Sequence, residues 1–332
     1  MSTRKMRAVI MMGRGEPDVL VTADVPAPVP GRGEILVKVA ASGVNRADLL
    51  QRRGRYPVPA GYPENILGLE YSGIVAETGA DVTAWSPGDP VMGITGGGGY
   101  AQYVVVHERE AVPVPPEMDV VQAGALPEAF LTAFDALVGQ MRIQAGESLL
   151  IHAAGSGVGT AAVQLGRWAG ARTFGTSRTV EKLRRARELG LEHGISAAGE
   201  EGWSDALLDL TGGRGVDLIL DLVGGPYLAD NVRSLATGGR IITVGVTGGR
   251  EAELDLRALM GKRGSITGTV LRARPLEDKA TLAQHFRRVA LPAVADGRLR
   301  PVVDTLLTPE QAPEAHRRME ANLNFGKLLI VW

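Results

Sequence analysis

The run from Ser148 to Gly170, SLLIHAAGSGVGTAAVQLGRWAG, joins a short apolar stretch, a glycine-rich turn and an amphipathic stretch. That is how a chain cradles the pyrophosphate of a dinucleotide. Leu149, Leu150 and Ile151 run into small residues, and Gly155, Ser156, Gly157 and Gly159 leave Val158 as the one bulky side chain before the helical pattern begins. Small residues let the backbone approach phosphates, whose charge a helix N-terminus favours. Thr160 stands where the last glycine of a strict GxGxxG pattern would fall, so the argument rests on the strand before and the helix after. The context points to a nicotinamide cofactor; the plainer alternative is a glycine turn joining any strand to any helix.

The next residues bear on which dinucleotide. A second apolar run, Arg172 to Gly175, ends in Thr176, Ser177, Arg178 and Thr179, with Lys182 one turn into the following helix. No carboxylate occurs between Gly159 and Glu181. An NAD site usually places Asp or Glu about 20 residues past the glycines, on the ribose 2′-hydroxyl. Hydroxyls and two cations at that position instead suit a 2′-phosphate, which Arg178 and Lys182 would attract and a carboxylate would repel. NADPH is the expected cofactor. Arg184, Arg185 and Arg187 read as the solvated face of an ordinary helix, a reading also open to Arg178 and Lys182.

These residues need elements to hold them. Up to about Pro127 the chain shows short apolar or alternating runs, Arg7 to Met11, Glu34 to Ala40, Gly73 to Glu77, Pro90 to Met92 and Tyr100 to His107, punctuated by glycine and proline. That spacing predicts a β-rich domain. Pro26, Pro28 and Pro30 read as a connector, and Gly96 to Gly99 as a tight turn. Afterwards strand and helix alternate: Ser148 to Ala153, a helix to Ala169, Arg172 to Thr176, a helix over Val180 to Leu189, then strands at Gly194 to Ser196, Val216 to Leu222, Arg240 to Val244 and Ser265 to Thr269. Such alternation predicts a doubly wound parallel sheet, an α/β fold. The tail predicts a helix around Lys279 to Val294, a strand near Val302, a helix around Pro309 to Asn322 and a strand from Gly326 to Val331, returning to the first domain. The boundaries drawn are 1–127, 128–270 and 271–332, with cofactor and substrate expected to meet in a cleft.

Composition narrows the function classes. The 332 residues suffice for about two domains. A formal net charge of −1, from 36 basic against 37 acidic residues, argues against nucleic acid as an obligate partner. No apolar run reaches the roughly 18 residues that span a bilayer, and the polar start MSTRKMR is no signal peptide, so a cytoplasmic location is expected. The chain has no cysteine, which removes disulfides, thiol nucleophiles and the usual structural zinc sites. His107, His152, His193, His285 and His316 lack ligand-like spacing, and no metal site is expected.

The segments SGVNRADLLQRRGRYP from Ser42, ILGLEYSGIV from Ile66, GGGYAQYVVV from Gly97, LPEAFLTAFDAL from Leu126, HAAGSGVGTAAVQL from His152, DLVGG from Asp221 and NLNFGKLLI from Asn322 carry a resemblance over nearly the whole chain. The chain resembles the zinc-free quinone oxidoreductases of the medium-chain dehydrogenase/reductase superfamily, in particular the branch typified by the p53-inducible quinone oxidoreductase. The resemblance implies a GroES-like N-terminal domain, a Rossmann domain and a homodimer. In zinc-dependent relatives a cysteine ligand comes where Asn45 stands, and Leu69 replaces the histidine of the related GHE motif. A metal-free enzyme needs a substrate that accepts hydride readily, which a quinone does by delocalising the charge into its ring.

By similarity, Asn45, Asp48 and Tyr56 face nicotinamide and substrate, and Tyr56 is the candidate to bond a quinone oxygen and help deliver a proton. Tyr56 also reads as an amphipathic tyrosine at the Pro57 turn, and Asp48 as a helix-starting cap. The cofactor contacts the resemblance implies are Asn45, Thr132, Ser156, Gly157, Val158, Gly159, Thr176, Arg178, Lys182, Gly245, Leu271, Arg272, Asn324 and Lys327. Thr132 has the plainer reading of a helix residue bonding its own backbone, and Asn324 that of a turn constraint before Gly326. Relatives commonly carry glycine where Arg178 stands and often a tyrosine about where Ala197 falls. An enoyl or enone reductase, which also takes hydride from NADPH, is the enzymatic alternative; Arg52, Arg53 and Arg55 would give a thioester arm a basic entrance, or simply form a solvated loop. The alternative of another class is an NADPH-binding structural or RNA-binding protein.

Overall fold

Parallel strands buried on both faces read as short continuous apolar runs. The computed structural model, which describes residues 4–198 and 202–332, assembles six of them into one sheet. In space they run His193–Ser196, Arg172–Ser177, Ser148–Ile151, Val216–Asp221, Leu235–Thr243 and Ser265–Gly268, every neighbour parallel. Numbered along the chain this is the order 3-2-1-4-5-6 of a Rossmann sheet, and the order reverses beside Ser148–Ile151, the strand that feeds the glycine turn. Leu150, Phe174, Leu207, Ile219 and Ile241 are buried in its core. The sheet belongs to one of two units of the chain, Thr132–Val270; the other unites Met1–Leu131 with Leu271–Trp332.

In the other unit a largely antiparallel sheet runs Val303–Leu307, Lys327–Val331, Glu34–Gly43, Glu70–Thr78, Pro90–Ile94 and Val112–Pro113, and Tyr103–His107 also pairs with Glu34–Gly43. The tail strand Lys327–Val331 thus pairs with strand Glu34–Gly43, Leu329 opposite Gly43. One core gathers Ile35, Val37, Tyr71, Val91 and Val104; another gathers Val9, Leu49, Leu67, Tyr100, Leu328 and Ile330. Among the described residues no helix is long and apolar enough to cross a membrane.

Several sequence expectations need correction. Pro28 and Pro30 lie in the connector before strand Glu34–Gly43, but Pro26 is the last residue of strand Leu20–Pro26, which pairs antiparallel with Lys5–Met11. Proline is tolerated at such an edge because it owes the ladder no N–H there. The helix expected around Lys279 to Val294 is two, Leu276–Val289 and Leu291–Ala295, since Pro292 can neither donate to residue 288 nor clear its carbonyl. The helix expected over Pro309 to Asn322 is a 3-10 turn, Pro309–Gln311, followed by Ala312–Glu320; Asn322 lies beyond it with φ of 56°.

Candidate active site

In the Rossmann unit, strand Ser148–Ile151 ends at the glycine turn, and helix Gly157–Trp168 starts immediately after it. Ser156 caps that helix, its hydroxyl accepting from the Gly159 N–H at 3.0 Å. A Cβ on Gly159 would lie 2.3 Å from the Ala153 carbonyl oxygen, so only glycine permits this tight turn. Ser156, Gly157 and Val158 remain partly exposed at the helix start, a cradle that fits a pyrophosphate. Beneath it lies a buried chain of polar groups. The His152 ring sits 2.8 Å from the Thr176 hydroxyl through Nδ1 and 2.7 Å from Asn231 Oδ1 through Nε2. Burial holds His152 below its ordinary pKa, so the neutral ring donates from Nε2 and accepts at Nδ1. Asn231 in turn donates to Asp221 (3.1 Å), whose other oxygen accepts the Val223 and Gly224 N–H groups. Thr176 therefore props the turn from below and presents its hydroxyl to His152.

The end of strand Arg172–Ser177 presents Arg178, which is exposed, and the Lys182 stem passes 2.9 Å from where a Cβ on Gly155 would sit. Gly245 follows strand Leu235–Thr243 and donates to the Asp221 carbonyl, while Thr132 is buried in helix Pro127–Phe134.

The other unit concentrates charge. Asn45 caps helix Arg46–Arg52, and Asp48 at the third helical position accepts the Asn45 N–H at 2.8 Å, so the cap reading of Asp48 describes its geometry. The same carboxylate accepts from the Gly68 N–H (3.2 Å) and the Tyr100 hydroxyl (3.1 Å). Burial pushes the Asp48 carboxyl up to about 6 although all three donors pull it down. Glu70, fully buried, pairs with Lys327 at 2.6 Å and accepts from Asn45 Nδ2 and the Glu128 N–H, each at 2.8 Å. Lys327 also donates to Asn45 Oδ1 (2.6 Å) and the Val44 carbonyl (3.1 Å), so its three ammonium donors are all used within this unit. The partly exposed Glu128 carboxyl is pushed up to about 8, first by burial and then by the Glu70 carboxylate. Tyr56 is half-buried under the Arg272 guanidinium, 5.1 Å from its ring centroid, and burial raises its hydroxyl pKa. Arg272 donates to the Gly96 carbonyl (2.8 Å) and Gln51 Oε1 (2.6 Å). Leu271 is buried beside it in sequence, and Asn324 Nδ2 bonds the Gly326 carbonyl at 2.8 Å.

Sequence reasoning missed much of this cluster. Glu70 and Glu128 carried a signal, as ionisable residues set in the apolar segments ILGLEYSGIV and LPEAFL. Arg52 was placed in a basic entrance or a solvated loop, and the structure corrects both: Arg52 is fully buried, donating to the Gly15 carbonyl (2.9 Å), His316 (3.1 Å) and Glu320. His316 is a core residue held down to about 3, chiefly by burial and then by Arg52. Arg53 pairs with Glu16 and Glu320, and Arg55 is exposed. Among the described residues, no three histidine, aspartate or glutamate side chains stand together as a metal-binding group.

A family model described as an alcohol dehydrogenase GroES-like domain matches residues 31–116, and one described as a zinc-binding dehydrogenase matches 157–288. Quinone oxidoreductase of Rattus norvegicus is 31% identical over 329 residues, covering 98% of each chain. A spectinabilin polyketide synthase system protein of Streptomyces orinoci is 36% identical over 323 residues, 96% of this chain and 14% of that one. Among solved structures, an NAD-dependent alcohol dehydrogenase superposes with a TM-score of 0.88 at 33% identity, covering 98% and 100% of the two chains. The enoyl reductase CurK superposes with a TM-score of 0.86 at 25% identity, covering 98% and 99%. A GroES-like unit joined to a Rossmann unit defines a nicotinamide-dependent oxidoreductase of the medium-chain dehydrogenase/reductase class. Within that class the chain belongs to the quinone oxidoreductase family.

Proposed function

We propose that this protein is an NADPH-dependent quinone reductase that works without a catalytic metal, as a homodimer. The observation that carries the reading is the cluster in which Tyr56 lies under the Arg272 guanidinium, Glu128 holds a proton near neutral pH, and Lys327 ties Asn45 to the buried Glu70. With asparagine and leucine at positions 45 and 69, the donor set does not suit zinc, which prefers thiolate and imidazole. A quinone suits such a site, because it needs no Lewis acid to accept hydride.

Residues Ser156 to Gly159 would hold the pyrophosphate and Arg178 and Lys182 the 2′-phosphate, with Thr132, Thr176, Gly245, Leu271 and Asn324 as further cofactor contacts. When bound, NADPH supplies the hydride. The chain's own contribution is positional and protonic. Asn45 is fixed at both ends of its amide by Glu70 and Lys327, so it presents one geometry. Tyr56 delivers a proton to the reduced oxygen, with Glu128 and Asp48 in its electrostatic field, both of which make it hold its own proton more tightly. The superposition on an enoyl reductase favours one second reading, hydride addition to an enone or enoyl thioester.

The test is oxidation of NADPH by the purified protein, with matched NADH controls, against a benzoquinone, a naphthoquinone, an enone and an enoyl thioester. Turnover on the quinones with NADPH preferred is the expected result. Preference for the enone or thioester would transfer the assignment to the second reading, and tight NADPH binding with no turnover would point to a non-enzymatic role.

A further inference from the structure

The polar cluster of the GroES-like unit holds three carboxyls, Glu70, Asp48 and Glu128, and two of them are fully spent. Glu70 pairs with Lys327 and also accepts from Asn45 and from the Glu128 N–H. Asp48 accepts three donors, and the direction of one is fixed from outside. The Arg52 guanidinium can only donate, so Nδ1 of the neutral His316 ring accepts from it at 3.1 Å, and the ring proton sits on Nε2, facing the Tyr100 hydroxyl at 3.4 Å. Tyr100 therefore donates onward to Asp48, joins the Asn45 and Gly68 N–H groups there, and leaves Asp48 an acceptor only. Glu128 differs from both. Its backbone N–H is engaged by Glu70, but its carboxyl oxygens take no hydrogen bond or ion pair from any described residue, and neither is sealed from the surface. Its charge weighs on the Tyr56 hydroxyl more than that of the Arg272 guanidinium, which lies 5.1 Å from the Tyr56 ring centroid.

We propose that Glu128 is the proton store of the site, the group that restores the Tyr56 hydroxyl after each reduction. This rests on the reductase reading above. A quinone that takes one hydride becomes a hydroquinone monoanion, and one proton on its anionic oxygen completes the neutral product. The Tyr56 hydroxyl gives that proton and is left a phenolate. The Glu128 carboxyl passes its own proton to the phenolate oxygen, directly or through one water, and the resulting carboxylate is reprotonated by solvent. The balance is one hydride from NADPH and one proton from solvent. The transfer to Tyr56 runs downhill, because Glu128 keeps its proton only up to about 8, whereas burial lifts Tyr56 above the 10.0 of an ordinary tyrosine. The surroundings of Glu128 set its value: burial first, then the Glu70 and Asp48 carboxylates, favour the neutral acid, and the Lys327 and Arg272 cations oppose them.

The first test needs neither cofactor nor turnover. Tyrosine ionisation is followed by ultraviolet absorbance in the cofactor-free protein, and Tyr56→Phe in each background isolates the Tyr56 step. Glu128→Gln is expected to let Tyr56 ionise at lower pH than in the wild type, because the neighbouring negative charge is gone. The second test reads kcat against pH with NADPH and the acceptor that turns over fastest. Wild-type kcat is expected to fall as pH rises through about 8, where the store empties. Glu128→Gln is expected to be about tenfold or more slower near pH 7 and flat across that range, while Glu128→Asp, which keeps a carboxyl, restores a pH-dependent profile. A Tyr56 step that Glu128→Gln leaves unmoved, a Gln variant with the wild-type rate and profile, or an Asp variant as flat as the Gln variant would each overturn the proposal. Coupled titration without turnover on any acceptor would overturn the reductase reading and the proposal with it, whereas an unmoved Tyr56 step overturns the proposal alone, so the two failures are told apart.

Discussion

Glu128 shows how one carboxyl couples the candidate site to stability. Its folded value of about 8 lies above the 4.5 of an ordinary glutamate, so the folded protein holds this proton more tightly than the unfolded chain. Unfolded chains then carry fewer protons between those values, and the group's contribution to stability falls as pH rises through that window. Asp48 acts in the same sense between 3.8 and about 6. Glu128→Gln removes the titration while keeping a similar shape. The wild-type thermal midpoint is expected to fall by several degrees more than that of Glu128→Gln when pH is raised from about 5 to about 9. Parallel curves for the two proteins would mean that Glu128 is ionised across the range. Lys327 serves a different end in the same cluster, pairing with the buried Glu70 carboxylate.

Strand, turn and helix around residues 148–182 act as one element, and this is where the sequence was most legible. Parallel strands repeat apolar runs that need no knowledge of their partners, and the glycine turn is local, so Ser148, Gly159 and Arg172 announce themselves within a few residues. The polar cluster of the other unit was hidden for the opposite reason. Asn45, Glu70, Glu128, Arg272 and Lys327 come from five separated segments, and nothing in the spacing of Glu70 predicts that a lysine from the last strand will neutralise it. Strand Leu20–Pro26 was masked by the proline that ends it, and buried Arg52 by two neighbours of the same charge. Cofactor choice is a property of the legible element. Arg178 projects from the strand end with no carboxylate in the turn, so Arg178→Ala is expected to reduce the preference for NADPH over NADH by about tenfold, read as a ratio of dissociation constants. Lys182→Ala is expected to do the same; an unchanged ratio in both variants would leave the 2′-phosphate without its proposed partners.

At the scale of the whole molecule, the Rossmann sheet ends in two edge strands, and Ser265–Gly268 is the more exposed of them. Strand Ser265–Gly268 is last in the order, and its unpaired backbone row is exposed. Helix Leu256–Lys262, packed on the neighbouring strand Leu235–Thr243, has no buried residue, although Leu256 and Met260 lie on one face at i, i+4 spacing, 64% and 75% exposed. An open edge beside an apolar face invites pairing, and natural sheets usually blunt such an edge with charge or proline. Neither occurs within Ser265–Gly268, so the surface suits an isologous contact with the same strand of a second copy. Light scattering on the purified protein is expected to give twice the 35.0 kDa chain mass at micromolar concentration. Met260→Glu combined with Leu256→Glu would place two charges on each side of that contact, four across the two-fold axis, where desolvation and repulsion both oppose association. Because both positions are exposed within a single chain, the substitution should leave the monomer folded and halve the measured mass. A wild type that already runs at 35.0 kDa would instead leave this edge unpaired and require another cover for its apolar face.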